Sequence, residues 1–363
     1  MHPAVSVLMS VYNGALYLPS AIDSIMAQTY SNYEFIVIDD GSLDDTWNIL
    51  QRYASKDKRI RLIRNQGNIG LSGSLNKGLW TAQGAYIARQ DCDDVSLPDR
   101  IEKQLAYLEN NDGVVMVSCN LYRIDAAGRL MRKDRTDCET ELIPWYLLFS
   151  NTIRGHSQVM FKRDSAIQAG GYSKEFRYSQ DYEFWIRLLK FGRIAIMPNF
   201  LHQYRWHENR VSHRSAQEQV RYAAKVSAAY LSEITGEQMD WTDAYRLWCF
   251  WTIEPTQSLY FQIPENLKTI HTRLKQIRKK YVDLKLSDHP HKKRLFRKAG
   301  DSVGKRYLKW TLFHIYRKAR PQAVFWALAY SVSWLKLRFF PVLINVLWSS
   351  LENLWTSSAG QRK

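Results

Sequence analysis

The amino-acid sequence predicts an α/β fold in which a mostly parallel central sheet is covered by helices on both faces and is followed by a helical C-terminal extension. Three observations lead there. Short apolar, β-branched runs alternate with helix-periodic segments over roughly the first ninety residues. Three of those runs end in polar turns: Tyr12-Asn13-Gly14, Asp39-Asp40-Gly41-Ser42 and Asp91-Cys92-Asp93-Asp94. After about Ser212 the alternation stops and longer helical patterns take over. Alternating strands and helices of this size require a sheet buried on both sides.

In chain order, Val5–Tyr12 is an apolar run closed by Asn13-Gly14, a buried strand and its turn. Leu18, Ile22, Ile25 and Met26 mark a helix from about residue 16 to 28. Tyr33–Asp39 is a second strand, residues 46–55 a helix, and residues 60–64 a third strand. Asn68–Gly70 is a glycine turn and residues 71–81 a helix. Ala85–Ala88 is a fourth strand that runs into the acidic cluster. Farther on, Gln158–Phe161 reads as a strand and Tyr182–Phe191 as a helix, for which Asp181 is a candidate cap. In open parallel sheets, ligands sit beyond the carboxyl ends of the strands. All three polar turns fall there, so one rim is expected to carry the chemistry.

The chain has 363 residues, 45% of them hydrophobic and 13% aromatic, enough for two domains or one with an extension. We expect residues 1–214 to form the catalytic domain, 215–265 a helical subdomain and 266–363 a basic, amphipathic region. The opening residues lack a basic segment followed by a long apolar one, so no secretory signal is expected. Cys92, Cys119, Cys138 and Cys249 form no CxxC pair, which argues against a zinc cage or disulfide framework and fits a reducing cytoplasm. The net charge is +16. Residues 268–320 hold eighteen Lys/Arg against three acids, net +15, so the remainder is nearly neutral.

Against that background Ala88-Arg-Gln-Asp-Cys-Asp-Asp94 stands out, with three carboxylates in four residues. Such groups raise one another's pKa unless positive charge joins them. One reading is a solvated turn or helix cap; the other is a site for a hard divalent cation such as Mg²⁺ or Mn²⁺. No GxGxxG follows the first strand and no GxxxxGK[ST] occurs anywhere, so the usual phosphate cradles are absent.

Five stretches in order, Val7–Gly14, Val37–Ser42, Asn68–Gly70, Asp91–Asp94 and Ser179–Trp185, resemble the signatures of family 2 glycosyltransferases, which have the GT-A fold. The resemblance covers roughly residues 4–210. It implies that Asp40 contacts the base or ribose of a nucleotide-sugar donor and that Asp39 shapes that pocket. Tyr12, Asn13 and Asn68 would border the donor. Asp91 would reach its ribose or sugar, and Asp93 would bind the metal, Mn²⁺ or Mg²⁺, that bridges the diphosphate. Cys92 reads as a small packing residue. Asp181 would be the catalytic base, instead of or alongside capping its helix, with Gln180 where many members carry Glu. His156 falls at a position near the donor phosphates or acceptor, against the alternative of a structural histidine. His207 falls where some members place a third metal ligand or phosphate contact. Trp185 reads as core, whereas Trp206 could stack on a sugar. The implied reaction is inverting transfer from a nucleotide diphosphate, most readily UDP, to a hydroxyl of a glycan or lipid-linked acceptor. One base and one metal suffice for it, unlike the two carboxyl groups of glycoside hydrolases. A sugar nucleotidyltransferase and a non-catalytic nucleotide-sugar binding protein are the rival readings.

In the C-terminal third, residues 215–235 and Trp241–Ile253 have helical spacing. The apolar runs 323–335 and 339–351 are each shorter than the roughly 20 residues that span a bilayer as a helix. Interfacial helices next to a basic stretch suit an anionic membrane surface at the inner face of the cell membrane. The alternative is an ordinary helical subdomain with solvated charges. No nucleic-acid module is recognisable, so nucleic acid is not an expected partner.

Overall fold

The computed structural model of the chain describes residues 2–208, 210, 215–252, 267–316, 328–331 and 333. It divides into two compact units, Met1–Leu147 with Asn151–Val226, and Leu148–Ser150 with Ser227–Lys363.

The first unit is built on strands β1 Val5–Val11, β2 Tyr33–Asp39, β3 Ile60–Arg64, β4 Tyr86–Arg89, β5 Val95–Ser96, β6 Val114–Ile124, β7 Leu130–Asp134, β8 Met160–Lys162 and β9 Arg193–Arg205. Its helices are α1 Leu18–Met26, α2 Thr46–Ala54, α3 Leu71–Thr81, α4 Arg100–Glu109, α5 Ile143–Leu147, α6 Arg163–Gln168 and α7 Gln180–Leu188. The sheet order is β3-β2-β1-β4-β8-β6-β9-β5, with β7 bonded to β6. From β3 to β4 the strands are parallel. Beyond β4 the sheet is mixed: β8 runs antiparallel to β4 and β6, β9 runs parallel to β6, and β5 runs antiparallel to β9.

The two faces follow from side-chain alternation along each strand. Val5, Val7, Met9 and Val11 of β1 share a core with Leu18, Ile22 and Ile25 of α1, Leu50 of α2 and Leu105 of α4. The opposite face is closed by α3, which lies close enough that a Cβ at Gly78 would stand 2.1 Å from Leu8 Cδ1 and 2.8 Å from Ile38 Cδ1. Each fully buried aliphatic side chain of this kind contributes about 1.5–3 kcal/mol. The parallel register puts Val11 opposite Asp39, so β1 and β2 end level at one rim. The short β5 pairs Val95 with Gln203 and Ser96 with His202, which seats the acidic loop against the carboxyl end of β9.

The chain enters the second unit within helix α8, Ala216–Thr235, at Val226/Ser227. The expected domain boundary at residue 214 lies two residues before that helix. Helices α9 Trp241–Thr252, α10 Leu267–Lys285 and α11 Lys292–Tyr316 follow. Ile270, Leu274, Ile277 and Tyr281 of α10 are buried, as are Leu295, Ala299, Val303 and Tyr307 of α11. Spacings of three and four residues give each helix one apolar stripe, with Lys275, Lys279, Lys293 and Arg297 exposed outside it and the Arg278 guanidinium packed on Phe296. Among the described residues no helix is long and apolar enough to cross a membrane. Of the two apolar runs, only residues 328–331 and 333 are described; the rest lie outside the described residues.

Candidate active site

The first two rim loops are knitted together. Asn13, at φ 51°, donates its backbone N–H to Ser42 Oγ at 3.0 Å, and its Oδ1 accepts from Leu43 N at 2.8 Å. Asp39 is fully buried, accepts from Ser42 N at 3.0 Å and stands 3.2 Å from Arg64 Nε. Asp40 accepts from Asn65 Nδ2 at 2.8 Å, Ile69 N at 2.9 Å and Gly70 N at 2.9 Å. Asp40 therefore pins the turn at the head of α3. Gly41 must be glycine: its φ is +76°, and a Cβ there would lie 2.8 Å from the Gly67 carbonyl carbon. Gly41, Ser42, Leu43, Arg64, Asn65 and Gln66 line a pocket of ≈ 390 Å³. Tyr12 and Asn68 are exposed at the same rim.

The acidic cluster contains its own counter-charges. Arg89 is fully buried and binds the Asp91 carboxylate and the Leu8 carbonyl, the latter at 2.8 Å. Beneath it the buried Arg100 donates to the Arg89 carbonyl at 2.7 Å and to Gln90 Oε1 at 3.0 Å. Asp94 is fully buried and receives Arg210 Nη1 at 2.9 Å, Arg205 N at 2.9 Å, His202 Nε2 at 3.2 Å and the Ser157 hydroxyl. Burial alone would raise the Asp94 pKa, but Arg210, His202 and Ser157 overcome it and hold the carboxyl far below its ordinary range.

Asp93 is different. Burial and the adjacent Asp94 charge push its pKa up, against His207 and a more distant Arg210 at 3.7 Å. It is the carboxylate left short of positive charge. His207 Nε2 lies 3.0 Å from Asp93 Oδ2, while His207 Nδ1 is buried without a hydrogen-bond partner. One oxygen each from Asp91, Asp93 and Asp94 can lie within 4.8 Å of the others. Carboxylate oxygens gathered this closely suit a hard divalent ion, and Asp93, beside His207, is the one that no arginine holds closely.

Asp181 lies in the first turn of α7. It is not the cap, because the helix starts at Gln180 and Ser179, at φ 57°, occupies the capping position. Asp181 Oδ1 accepts from Tyr182 N at 2.7 Å and Oδ2 accepts from Asn151 Nδ2 at 3.0 Å. Burial pushes its pKa up to about 6, partly offset by those two bonds, and the Asp91 charge is felt there as well. His156 accepts from Tyr172 OH at 2.9 Å and from Arg89 Nε at 3.4 Å. Burial and the Arg89 charge push its pKa well below the ordinary range, so the imidazole is neutral. Trp185 is buried core, whereas Trp206 is exposed.

The structure thus brings Asp91, Asp93 and His207 together, with His156 reaching them through Arg89, and gathers Tyr12, Asn13, Asp39, Asp40 and Asn68 along the β1–β2 side of the rim. Sequence reasoning missed Arg89, Asn151, Ser157, His202 and Arg210. Arg210 carried a signal, a basic residue just past the Tyr204–His207 segment in an otherwise nearly neutral region.

A sequence model described as Glycosyl transferase family 2 matches residues 6–170. An uncharacterized glycosyltransferase of Haemophilus influenzae is 35% identical over 238 residues, covering 62% of this chain and 72% of that protein. The chain belongs to glycosyl transferase family 2. This glycosyltransferase is also similar to the O-antigen biosynthesis glycosyltransferase WbnJ of Escherichia coli, at 36% identity over 51% of this chain and 71% of WbnJ. The putative teichuronic acid biosynthesis glycosyltransferase TuaG of Bacillus subtilis is 33% identical over 58% of this chain and 82% of TuaG. Among solved structures, residues 1–349 of S. aureus TarS in complex with UDP-GlcNAc superpose with a TM-score of 0.56 at 16% identity, covering 90% of this chain and 91% of that TarS fragment. The mannosyltransferase PcManGT of Pyrobaculum calidifontis, in complex with GDP-Man and Mn²⁺, gives 0.50 at 14% identity over 92% of this chain and 88% of PcManGT. These likenesses identify the fold as GT-A.

Proposed function

We propose that this glycosyltransferase moves a sugar from a UDP-sugar to a hydroxyl of a glycan or lipid-linked acceptor, with inversion at the anomeric carbon. The observation that carries the reading is geometric: Arg89 binds Asp91 and donates to His156 at 3.4 Å, and the His156 ring packs on Trp185 of α7, the helix that carries Asp181, so the donor-side acids and a base candidate border one site. A carboxylate with a pKa of about 6 is mostly ionised at neutral pH and still basic enough to take a proton from an attacking alcohol. A single base suits direct displacement. The pocket beside Asp39 and Arg64 takes the nucleoside, and Asp40 holds the turn that walls it. Asp93 and His207 would hold Mn²⁺ or Mg²⁺, with Asp91 beside them; such an ion supplies Lewis-acid stabilisation of the departing diphosphate. Arg89 and Arg210 keep the acidic loop from repelling itself open before donor and metal arrive.

Replacing Asp181 by Asn tests the reading. Transfer should fall by about 10²–10⁴-fold, the usual contribution of a positioned base, with donor affinity retained. A variant that transfers normally removes Asp181 from the chemistry. Donor and product anomers compared by NMR should have opposite configurations.

The basic helices α10 and α11 are proposed to rest on an anionic membrane surface. Lys275, Lys279, Lys293 and Arg297 are exposed there. Each such charge contributes about 1 kcal/mol near anionic lipid, an attraction that salt screens. Full-length protein should sediment with phosphatidylglycerol vesicles at low salt and leave them at high salt. Equal sedimentation with neutral vesicles would contradict this.

A further inference from the structure

We propose that Asn151 is a positioning residue for Asp181: its side-chain amide aims the carboxylate and holds it as the ionised acceptor that transfer requires. The inference rests on Asp181 being the base. Asn151 Nδ2 donates to Asp181 Oδ2 at 3.0 Å, while Asn151 Oδ1 accepts from Ile153 N at 3.2 Å. With its carbonyl engaged, the amide presents its NH₂ to the carboxylate. The alignment is fastened a second time where the Tyr182 hydroxyl donates to the carbonyl of Leu147, the last residue of α5, which packs against α7. Asp181 is thus clamped between its own helix and the segment that follows α5.

What surrounds the carboxylate makes this donor important. Among the described residues no Lys or Arg forms an ion pair with Asp181. On α7, Glu183 and Arg187 bond to each other. The α5 sequence Ile-Pro-Trp-Tyr-Leu carries no charged side chain. Among the described residues, the charges of Asp91 and Tyr172 couple to Asp181, and His156, whose ring packs on Trp185 of α7, is neutral. The ionised form therefore depends on neutral donors: the backbone N–H groups of Tyr182 and of Asp181 itself, and Asn151 Nδ2. Of these, only the Asn151 amide can be removed by a side-chain substitution.

The test uses full-length protein labelled with ¹³C at the aspartate carboxyl. The Asp181 resonance is assigned as the one missing from Asp181→Asn. In Asn151→Ala its titration midpoint should rise by about half to one pH unit, and in Asn151→Asp, which places a like charge beside it, by more. Release of UDP from a panel of UDP-sugars with Mn²⁺ gives a second readout. A one-unit rise from about 6 predicts about a fivefold slowing at pH 6 that largely disappears by pH 8, beyond any pH-independent loss from misalignment. A residue that merely supports the fold would lower the rate equally at both pH values and lower the Tm. An unmoved midpoint in Asn151→Ala overturns the proposal while leaving Asp181 as the base. Undiminished turnover in Asp181→Asn overturns the base itself, and with it the proposal.

Discussion

Replacing Arg210 by Met tests whether the chain neutralises its own acidic loop. Arg210 Nη1 lies 2.9 Å from Asp94 and 3.7 Å from Asp93, and the side chain of Asp94 is entirely buried. At an effective dielectric of about 20 those separations correspond to about 6 and about 4 kcal/mol of gross attraction. The desolvation of both partners cancels much of that. What remains on truncation is the cost of a buried charge without its cation, about 3–5 kcal/mol. Arg205 N, His202 and Ser157 still bond to Asp94, so the lower end applies, about 3 kcal/mol. Methionine keeps an unbranched apolar side chain but also removes the guanidinium that stands 3.8 Å from the Tyr204 ring centroid. For a unit of this size each kcal/mol lowers the Tm by about 2–4 °C, so a fall of about 6–12 °C is expected. The assay is thermal and urea unfolding of the full chain, with Asp94→Asn added in the same background. The double variant should regain part of the loss, because the buried charge has gone. A loss below about 1 kcal/mol, the size of a surface pair, or a double variant with no recovery, would refute the reasoning.

Other outcomes follow from the same geometry. An acid whose pKa is raised in the folded chain destabilises the fold above that value and has no effect below its ordinary pKa; Asp181→Asn should therefore raise stability at pH 8 by about 1–3 kcal/mol, with the gain shrinking below pH 6 and vanishing near pH 4. Unfolding curves at three pH values check the sign. Gly78→Ala puts a methyl 2.1 Å from Leu8 Cδ1, so despite the better helix propensity of alanine it should cost about 1–3 kcal/mol by denaturant titration. Gly41→Ala forces a residue with a Cβ to φ +76° against the Gly67 backbone; it should weaken nucleotide binding more than it lowers the Tm, as calorimetry and thermal shift together would show.

The parallel half of the sheet was legible because its signals are local. Runs of four to eight residues, three of them closed by Asn-Gly, Asp-Gly or Asp-rich turns, placed β1 to β4 within a residue or two, and the rim rule then gathered their loops. The mixed half was less so. β6 and β9 are long strands of 11 and 13 residues, and polar positions such as Asn120, Arg123 and Asn199 break their apolar pattern. The start of α7 was misplaced because Asp181 has the chemistry of a cap, whereas the backbone turns one step earlier at Ser179. The largest omission concerns charge. Crowded aspartates demanded a cation, and the sequence reading assigned that need to a metal alone. Asp94 meets Arg210 across 116 positions of sequence, and its Ser157 and His202 contacts are also long-range, so no spacing rule could pair them. The folded chain divides the cluster: Asp91 and Asp94 are satisfied by arginines, and Asp93 is left for something else.

The most direct test of that division is nucleotide binding by thermal shift, with UDP and GDP, with and without Mn²⁺, on wild type, Asp93→Ala and Asp94→Ala. The account predicts that one nucleotide raises the wild-type Tm only when Mn²⁺ is present. Asp93→Ala should lose that response while keeping its ligand-free Tm, whereas Asp94→Ala should lose stability before any ligand is added. A nucleotide shift that survives in Asp93→Ala, or that needs no metal, would contradict it.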